Sequence, residues 1–184
     1  SSTCTGARNY AFDNSVPDAM TAEAWIKLDE MDRWHAIYAQ YDPGYFIFRV
    51  NSDNKLHLQV YSNSDGWKTV TGSTELESGV WYQVAATYSS TTDRIRVYLN
   101  DSVDGTTTLS SSYVMHDRNC CDNWIGYDNF NGYALDGIID EVRISNVERT
   151  DFDHRSEYTY WSWSHPAVVK LFVNEGPKIV STTV

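Results

Sequence analysis

Asp136 and Asp140 stand four residues apart in the run Leu135–Ser145, LDGIIDEVRIS. From Ile138 the run alternates, with Ile138, Asp140, Val142 and Ile144 on one strand face and Ile139, Glu141, Arg143 and Ser145 on the other. The first face is apolar except for Asp140, so its carboxylate is expected to point with the core residues. There it must be paired, hydrogen-bonded or bound to a metal. Retaining hydrolysis of a glycosidic bond needs two carboxylates about 5–5.5 Å apart. The apolar Ile138 between Asp136 and Asp140, and the lack of any Glu on that face, argue against such a pair. Asp29, Glu30 and Asp32 have turn spacing. No histidine sits within a recognisable Ser or Cys nucleophile motif. No catalytic residue is assigned, and the chain is read as non-enzymatic.

Aromatic residues beside amides or carboxylates form a second kind of candidate. Pyranose rings stack on exposed aromatic faces while their hydroxyls hydrogen-bond sideways to such groups. Three loops meet that requirement: Tyr41-Asp42-Pro43-Gly44-Tyr45, Asn63–Trp67 and Tyr127-Asp128-Asn129-Phe130-Asn131. The candidate contact residues are Tyr41, Asp42, Tyr45, Trp67, Tyr127 and Asn129. For each, the alternative is core packing, the expected fate of Trp25, Trp81 and Trp124. Asp65-Gly66 reads as the tip of a hairpin.

The elements that must position these residues are strands. Aromatic residues make up 14% of the chain, which favours sheet cores. Candidate strands are Ala7–Phe12, Met20–Leu28, Trp34–Gln40, Tyr45–Val50, Lys55–Ser62, Trp67–Thr71, Val80–Ser89, Asp93–Asn100, Thr106–Ser110, Asn123–Tyr127 and Tyr133–Ser145. Turn-forming clusters such as Asn51–Asn54 and Ser64–Gly66 separate them. Half-buried strands such as Ile95, Val97 and Leu99 against Arg94, Arg96 and Tyr98 call for two stacked antiparallel sheets. The interior is expected to include Trp25, Ile26, Val84, Ala86, Val97, Leu99, Ile138 and Val142.

Four of these runs carry a family resemblance. Trp81–Tyr88 (WYQVAATY), Arg96–Asn100 (RVYLN), Ile125-Gly126 and Gly137–Ile144 (GIIDEVRI) occur in the order seen in laminin-G-like, concanavalin A-like jelly rolls, and Met20–Lys27 is similar to that family's first long core strand. The resemblance covers roughly residues 7 to 150. It implies an all-β, two-sheet antiparallel jelly-roll sandwich over 1–160. It also implies an extracellular or cell-surface recognition module that binds glycan or an extracellular protein. For Asp140 it implies a structural calcium, with backbone oxygens of the Ala7–Asn14 segment as companions. Hydrogen bonding from buried groups is the alternative reading of that carboxylate.

The formal net charge of −11 and pI near 4.7 disfavour nucleic acid and anionic lipid as partners. No run of eighteen apolar residues is present, so membrane insertion is not expected. Cys4 is expected to pair with Cys120 or Cys121 in an oxidising compartment, or the two neighbours pair with each other. Asn100-Asp101-Ser102 is a glycosylation sequon. A short helical turn is expected near Arg149–Tyr158. Beyond it, residues 161–184 read as a strand-forming C-terminal extension, with runs Ala167–Val173 and Lys178–Val184. Such strands need a sheet edge to cover them: pairing within the same chain is the default, a lead into a further domain is left open, and self-association through the tail, as in an extracellular filament, is the competing reading. A glycan-active hydrolase is the disfavoured third.

Overall fold

A computed structural model describes residues 17–41, 45–116 and 123–150. Its elements are β1 (Ala19–Leu28), β2 (His35–Gln40), β3 (Tyr45–Val50), β4 (Leu56–Ser62), β5 (Gly66–Thr71), β6 (Trp81–Ser89), β7 (Arg94–Leu99), β8 (Ser102–Thr108), β9 (Asn123–Ile125), β10 (Tyr127–Asp128), β11 (Tyr133–Ala134) and β12 (Gly137–Ser145). They form two five-stranded antiparallel sheets, here sheet I (β12-β1-β6-β7-β8) and sheet II (β5-β4-β3-β2-β9), with β10-β11 as a small ribbon. This is the expected jelly-roll sandwich. The Ala7–Phe12 strand, Asp42, the three cysteines, most of the helical turn near Arg149–Tyr158 and the 161–184 extension lie outside the described residues.

Alternation builds the core. Met20, Ala22, Ala24, Ile26 and Leu28 of β1 meet Phe46, Phe48 and Val50 of β3 and Leu56, Leu58 and Val60 of β4 between the sheets, all essentially without solvent contact. Val84, Ala86 and Tyr88 of β6 join them with Ile95 and Val97 of β7. The turns are local chemistry. Asn100 and Asp101 both take positive φ (48° and 66°), which the two-residue hairpin between β7 and β8 requires. The strand expected through Asn100 therefore stops at Leu99, and the next begins at Ser102 rather than Thr106. Gly66, at φ 68°, closes the three-residue loop between β4 and β5.

One expected alternation breaks. β12 pairs with β1 through Ile139↔Ile26 and Asp140↔Trp25, then resumes at Arg143↔Glu23, with a register shift between. Glu141, at φ 52°, supplies the extra residue of this bulge. Ile139 therefore packs against the core while Ile138 is 45% exposed, the reverse of the expectation. Asp140 shares the outer face with Trp25, and its Oδ1 accepts the backbone N–H of Glu141 at 2.8 Å. The carboxylate thus does not point with the core. Among the described residues no group of three or more His, Cys, Asp or Glu is placed to hold a metal ion. The tryptophans expected inside are also displaced. Trp25 and Trp81 lie half-buried on the outer face of sheet I, and Trp124 packs on the outer face of sheet II beside Ala39, Tyr41 and Ile47.

The two outer faces differ. Residues 147–149 are tied across that of sheet I. The Thr21 hydroxyl donates to the Val147 carbonyl (2.7 Å) and accepts from the Arg149 amide (2.9 Å). Glu148 pairs with Arg96 at 2.5 Å, and the buried Glu23 carboxylate lies 3.3 Å from Arg149 and 3.5 Å from Arg143. On sheet II the outer face carries a row of large aromatics, Tyr45, Tyr61 and Trp67, of which Trp67 is open to solvent.

Candidate functional site

Strand register assembles the floor of the site. Ile47, Gln59 and Thr69 lie abreast on the outer face of β3, β4 and β5, and Tyr45, Tyr61 and Trp67 form the next row. The rings of that row pack edge to face or tilted, with centroids 5.5 Å apart for Tyr45–Tyr61, 5.4 Å for Tyr45–Trp67 and 5.1 Å for Tyr61–Trp67. His116 stacks on Tyr45 at 6.0 Å. Tyr41 meets Tyr45 at 5.6 Å, Trp124 at 5.8 Å and Phe130 at 5.7 Å. Together Tyr41, Tyr45, Ile47, Gln59, Trp67, Phe130 and Asn131 line a cleft of about 160 Å³. Trp67 is 49% exposed and Phe130 78%, so both offer ring surface to a ligand.

A buried polar cluster holds one wall in place. Asp128 is wholly inaccessible. Its Oδ1 accepts the Tyr41 hydroxyl at 2.5 Å and the backbone N–H groups of Phe130 and Asn131 at 3.1 and 3.2 Å. Its Oδ2 accepts Asn131 Nδ2 at 2.9 Å and lies 3.3 Å from the Arg49 guanidinium. One carboxylate thus caps the 128–131 turn and fixes Phe130 and Asn131 at the rim. Arg49 also donates to Gln59 Oε1 and lies over Trp34, 4.7 Å from the ring centroid, with Tyr133 at 5.6 Å. Every charge in this cluster has an opposite partner, as burial demands.

Burial sets the proton chemistry. Desolvation and the hydrogen bond to Asp128 push the Tyr41 phenol up from its ordinary value, so it remains a donor. Desolvation draws Arg49 downward, and Asp128 opposes that. His57, across from Arg49, is lowered to about 4 by burial and by the neighbouring guanidinium. It stays neutral at pH 7, with Nδ1 2.9 Å from the Thr71 hydroxyl.

Of the sequence candidates, the structure brings Tyr41, Tyr45 and Trp67 together on the cleft. Tyr127 and Asn129 are exposed but lie outside its lining: β10 turns Asp128 inward and Tyr127 outward, and Asn129 sits in the turn that follows. Asp42 lies outside the described residues. Asn100 is exposed at its hairpin tip, where its Oδ1 accepts the Gln83 N–H at 3.1 Å. Asp128, Phe130 and Asn131 lie in a loop that the sequence marks without choosing them as contacts, and Gln59 and Arg49 are not singled out by sequence reasoning. The spacing Asp128-x-x-Asn131-Gly132 is a turn-capping signal that marks the anchor.

A family model described as the concanavalin A-like lectin/glucanases superfamily matches residues 6–153. The chain belongs to this superfamily. The solved structures similar to it agree on the fold. A candidate carbohydrate-binding protein from Bacteroides ovatus superposes with a TM-score of 0.63 at 18% identity, over 88% of this chain and 48% of that one. The CBM40 of the Ruminococcus gnavus IT-sialidase gives 0.58 at 10% identity, over 76% and 82%. The LG4-5 domains of the mouse laminin alpha1 chain give 0.56 at 13%, over 71% and 36%. The superfamily member described here spans about half the length of the Bacteroides protein. No curated protein matches it in sequence.

Proposed function

We propose that this superfamily member is a non-catalytic carbohydrate-recognition module that binds its ligand on the aromatic cleft of sheet II. One observation carries the reading. Tyr41 and Tyr45, Trp67, and Phe130 and Asn131, far apart in sequence, meet at one open cleft whose lining holds aromatic rings and amides. At about 160 Å³ the cleft is smaller than the ~300–1,000 Å³ of sites that enclose small molecules. It suits a ring that stacks at the surface, with the rest of the chain left in solvent. The carbohydrate-binding relatives of the same fold support this use, as does the buried scaffold that holds Phe130 and Asn131 before any ligand arrives. We place the module in a secreted or cell-surface protein, where such ligands occur.

The test is a glycan microarray probed with wild-type protein and with Trp67→Ala. Trp67 is half-exposed and packs on Tyr45 and Tyr61, so its truncation is expected to lower the melting temperature by about 4–8 °C, leaving the protein folded at assay temperature, while reducing glycan signal at least tenfold. Glycan binding that survives Trp67→Ala unchanged would remove the cleft from the account.

A further inference from the structure

The polarity of the cleft narrows the class of sugar. Resting on the glycan-binding reading above, we propose that the site selects neutral glycans and discriminates against acidic ones such as uronates and sialosides. None of Tyr41, Tyr45, Ile47, Gln59, Trp67, Phe130 and Asn131 carries a charge. Among the described residues the cation beneath that floor is Arg49, whose side chain is only 5% exposed. It is already committed to Asp128, to Gln59 and to the faces of Trp34 and Tyr133. Drawing it out to meet a ligand carboxylate would strand Asp128, which is fully buried. Among the described residues of the cleft, a ligand anion would thus lose water without gaining a partner, on a chain whose formal net charge is −11.

The same buried pair sets what the cleft offers instead. Arg49 can only donate, so the Gln59 atom facing it is Oε1, and the amide nitrogen is left for the ligand. A carboxylate only accepts, so Asn131 turns Nδ2 to Asp128 and keeps Oδ1 for the ligand. One amide donor and one amide acceptor beside stacking rings match neighbouring hydroxyls of a neutral pyranose, since each hydroxyl both donates and accepts. The Arg49–Asp128 pair is thereby a positioning device for Gln59 and Asn131, and it does not itself touch the ligand.

The experiment is calorimetric titration of wild-type protein with matched pairs: galacto-oligosaccharides and oligogalacturonides, cello-oligosaccharides and glucuronate oligomers, lactose and sialyllactose. At least one neutral member is expected to bind, each at least tenfold tighter than its acidic counterpart. A second variant supplies the missing charge. Thr69 is exposed and lies abreast of Gln59 beside Trp67, so Thr69→Arg places a cation at the rim. It is expected to tighten binding of the acidic member at least threefold and to change the neutral one by less than twofold. Acidic members that bind wild type as well as neutral ones, in a manner lost in Trp67→Ala, overturn the selectivity and leave the glycan site standing. Failure of Thr69→Arg to help the acidic member overturns the charge argument likewise. Binding of neither member of any pair overturns the glycan-binding reading itself.

Discussion

Removing the Asp128 carboxylate is the perturbation whose consequences the structure defines most fully. In Asp128→Ala the Arg49 guanidinium loses its counter-ion inside the protein, and breaking a buried pair in this way costs about 3–5 kcal/mol. The variant also orphans the Tyr41 hydroxyl and the N–H groups of Phe130 and Asn131, each worth about 1 kcal/mol where water cannot replace the acceptor. Two features moderate the loss: Arg49 keeps Gln59 and the face of Trp34, and the exposed turn can rehydrate. A net loss of about 4 kcal/mol is expected, which lowers Tm by roughly 10 °C for a chain of this size. Urea unfolding followed by tryptophan fluorescence measures it. Arg49→Met should destabilise for the mirror-image reason, by leaving the carboxylate unpaired. The Arg49→Met/Asp128→Asn double variant should cost less than the sum of its single variants by about 2 kcal/mol. A loss below about 1 kcal/mol for Asp128→Ala, or single effects that add within about 0.5 kcal/mol, would refute the buried scaffold.

Stability should fall as the pH drops from 6.5 toward 4. His57 takes up its proton near 6.5 when unfolded but only near 4 when folded, so its contribution is complete above 6.5 and lost on passing through 4. The contribution is up to roughly 3 kcal/mol, and His57→Gln should flatten that part of a pH–stability profile from chemical denaturation. Gly137 sits at φ 139°, where an added Cβ would come within 2.1 Å of the Lys27 carbonyl oxygen. Gly137→Ala is therefore expected to cost about 2–3 kcal/mol by urea unfolding. The Glu141 amide is the partner the structure gives Asp140, so a chelator should leave the melting curve of the wild type unchanged. A chelator-induced drop that Asp140→Asn abolishes would instead establish a cation at that carboxylate.

The residues that proved legible in the sequence share a physical trait. Met20–Leu28 and Lys55–Ser62 alternate cleanly, and period-2 patterning survives in a half-buried sheet whatever its neighbours, so their strands and core faces followed directly. Tyr41, Tyr45 and Trp67 each stood out as an aromatic beside polar turn residues. Their convergence did not, because it depends on the order β5-β4-β3 and on the register Tyr45↔Tyr61↔Trp67. Asp140 and Ile138 were misplaced by a single inserted residue, since a bulge exchanges the two faces of everything before it and leaves no mark on composition. Trp25 and Trp81 are expected in the core from the sequence. They cover the outer face of sheet I instead, where a large ring can shield a strand without entering the space between sheets. Arg49 carries no signal of its own in the sequence. Only the packing of Asp128, Trp34 and Tyr133 around it reveals a buried cation.

The central claim, that ligand binds the cleft of sheet II, is tested most directly by amide and indole chemical-shift mapping on isotope-labelled protein. The titrant is the tightest neutral oligosaccharide found on the microarray. Perturbations centred on Tyr45, Gln59, Trp67, Phe130 and Asn131, with the Trp67 indole among the largest and the Trp25 and Trp81 indoles unmoved, are the predicted result. Shifts centred on Trp25, Trp81 and Asp140 of sheet I would contradict it.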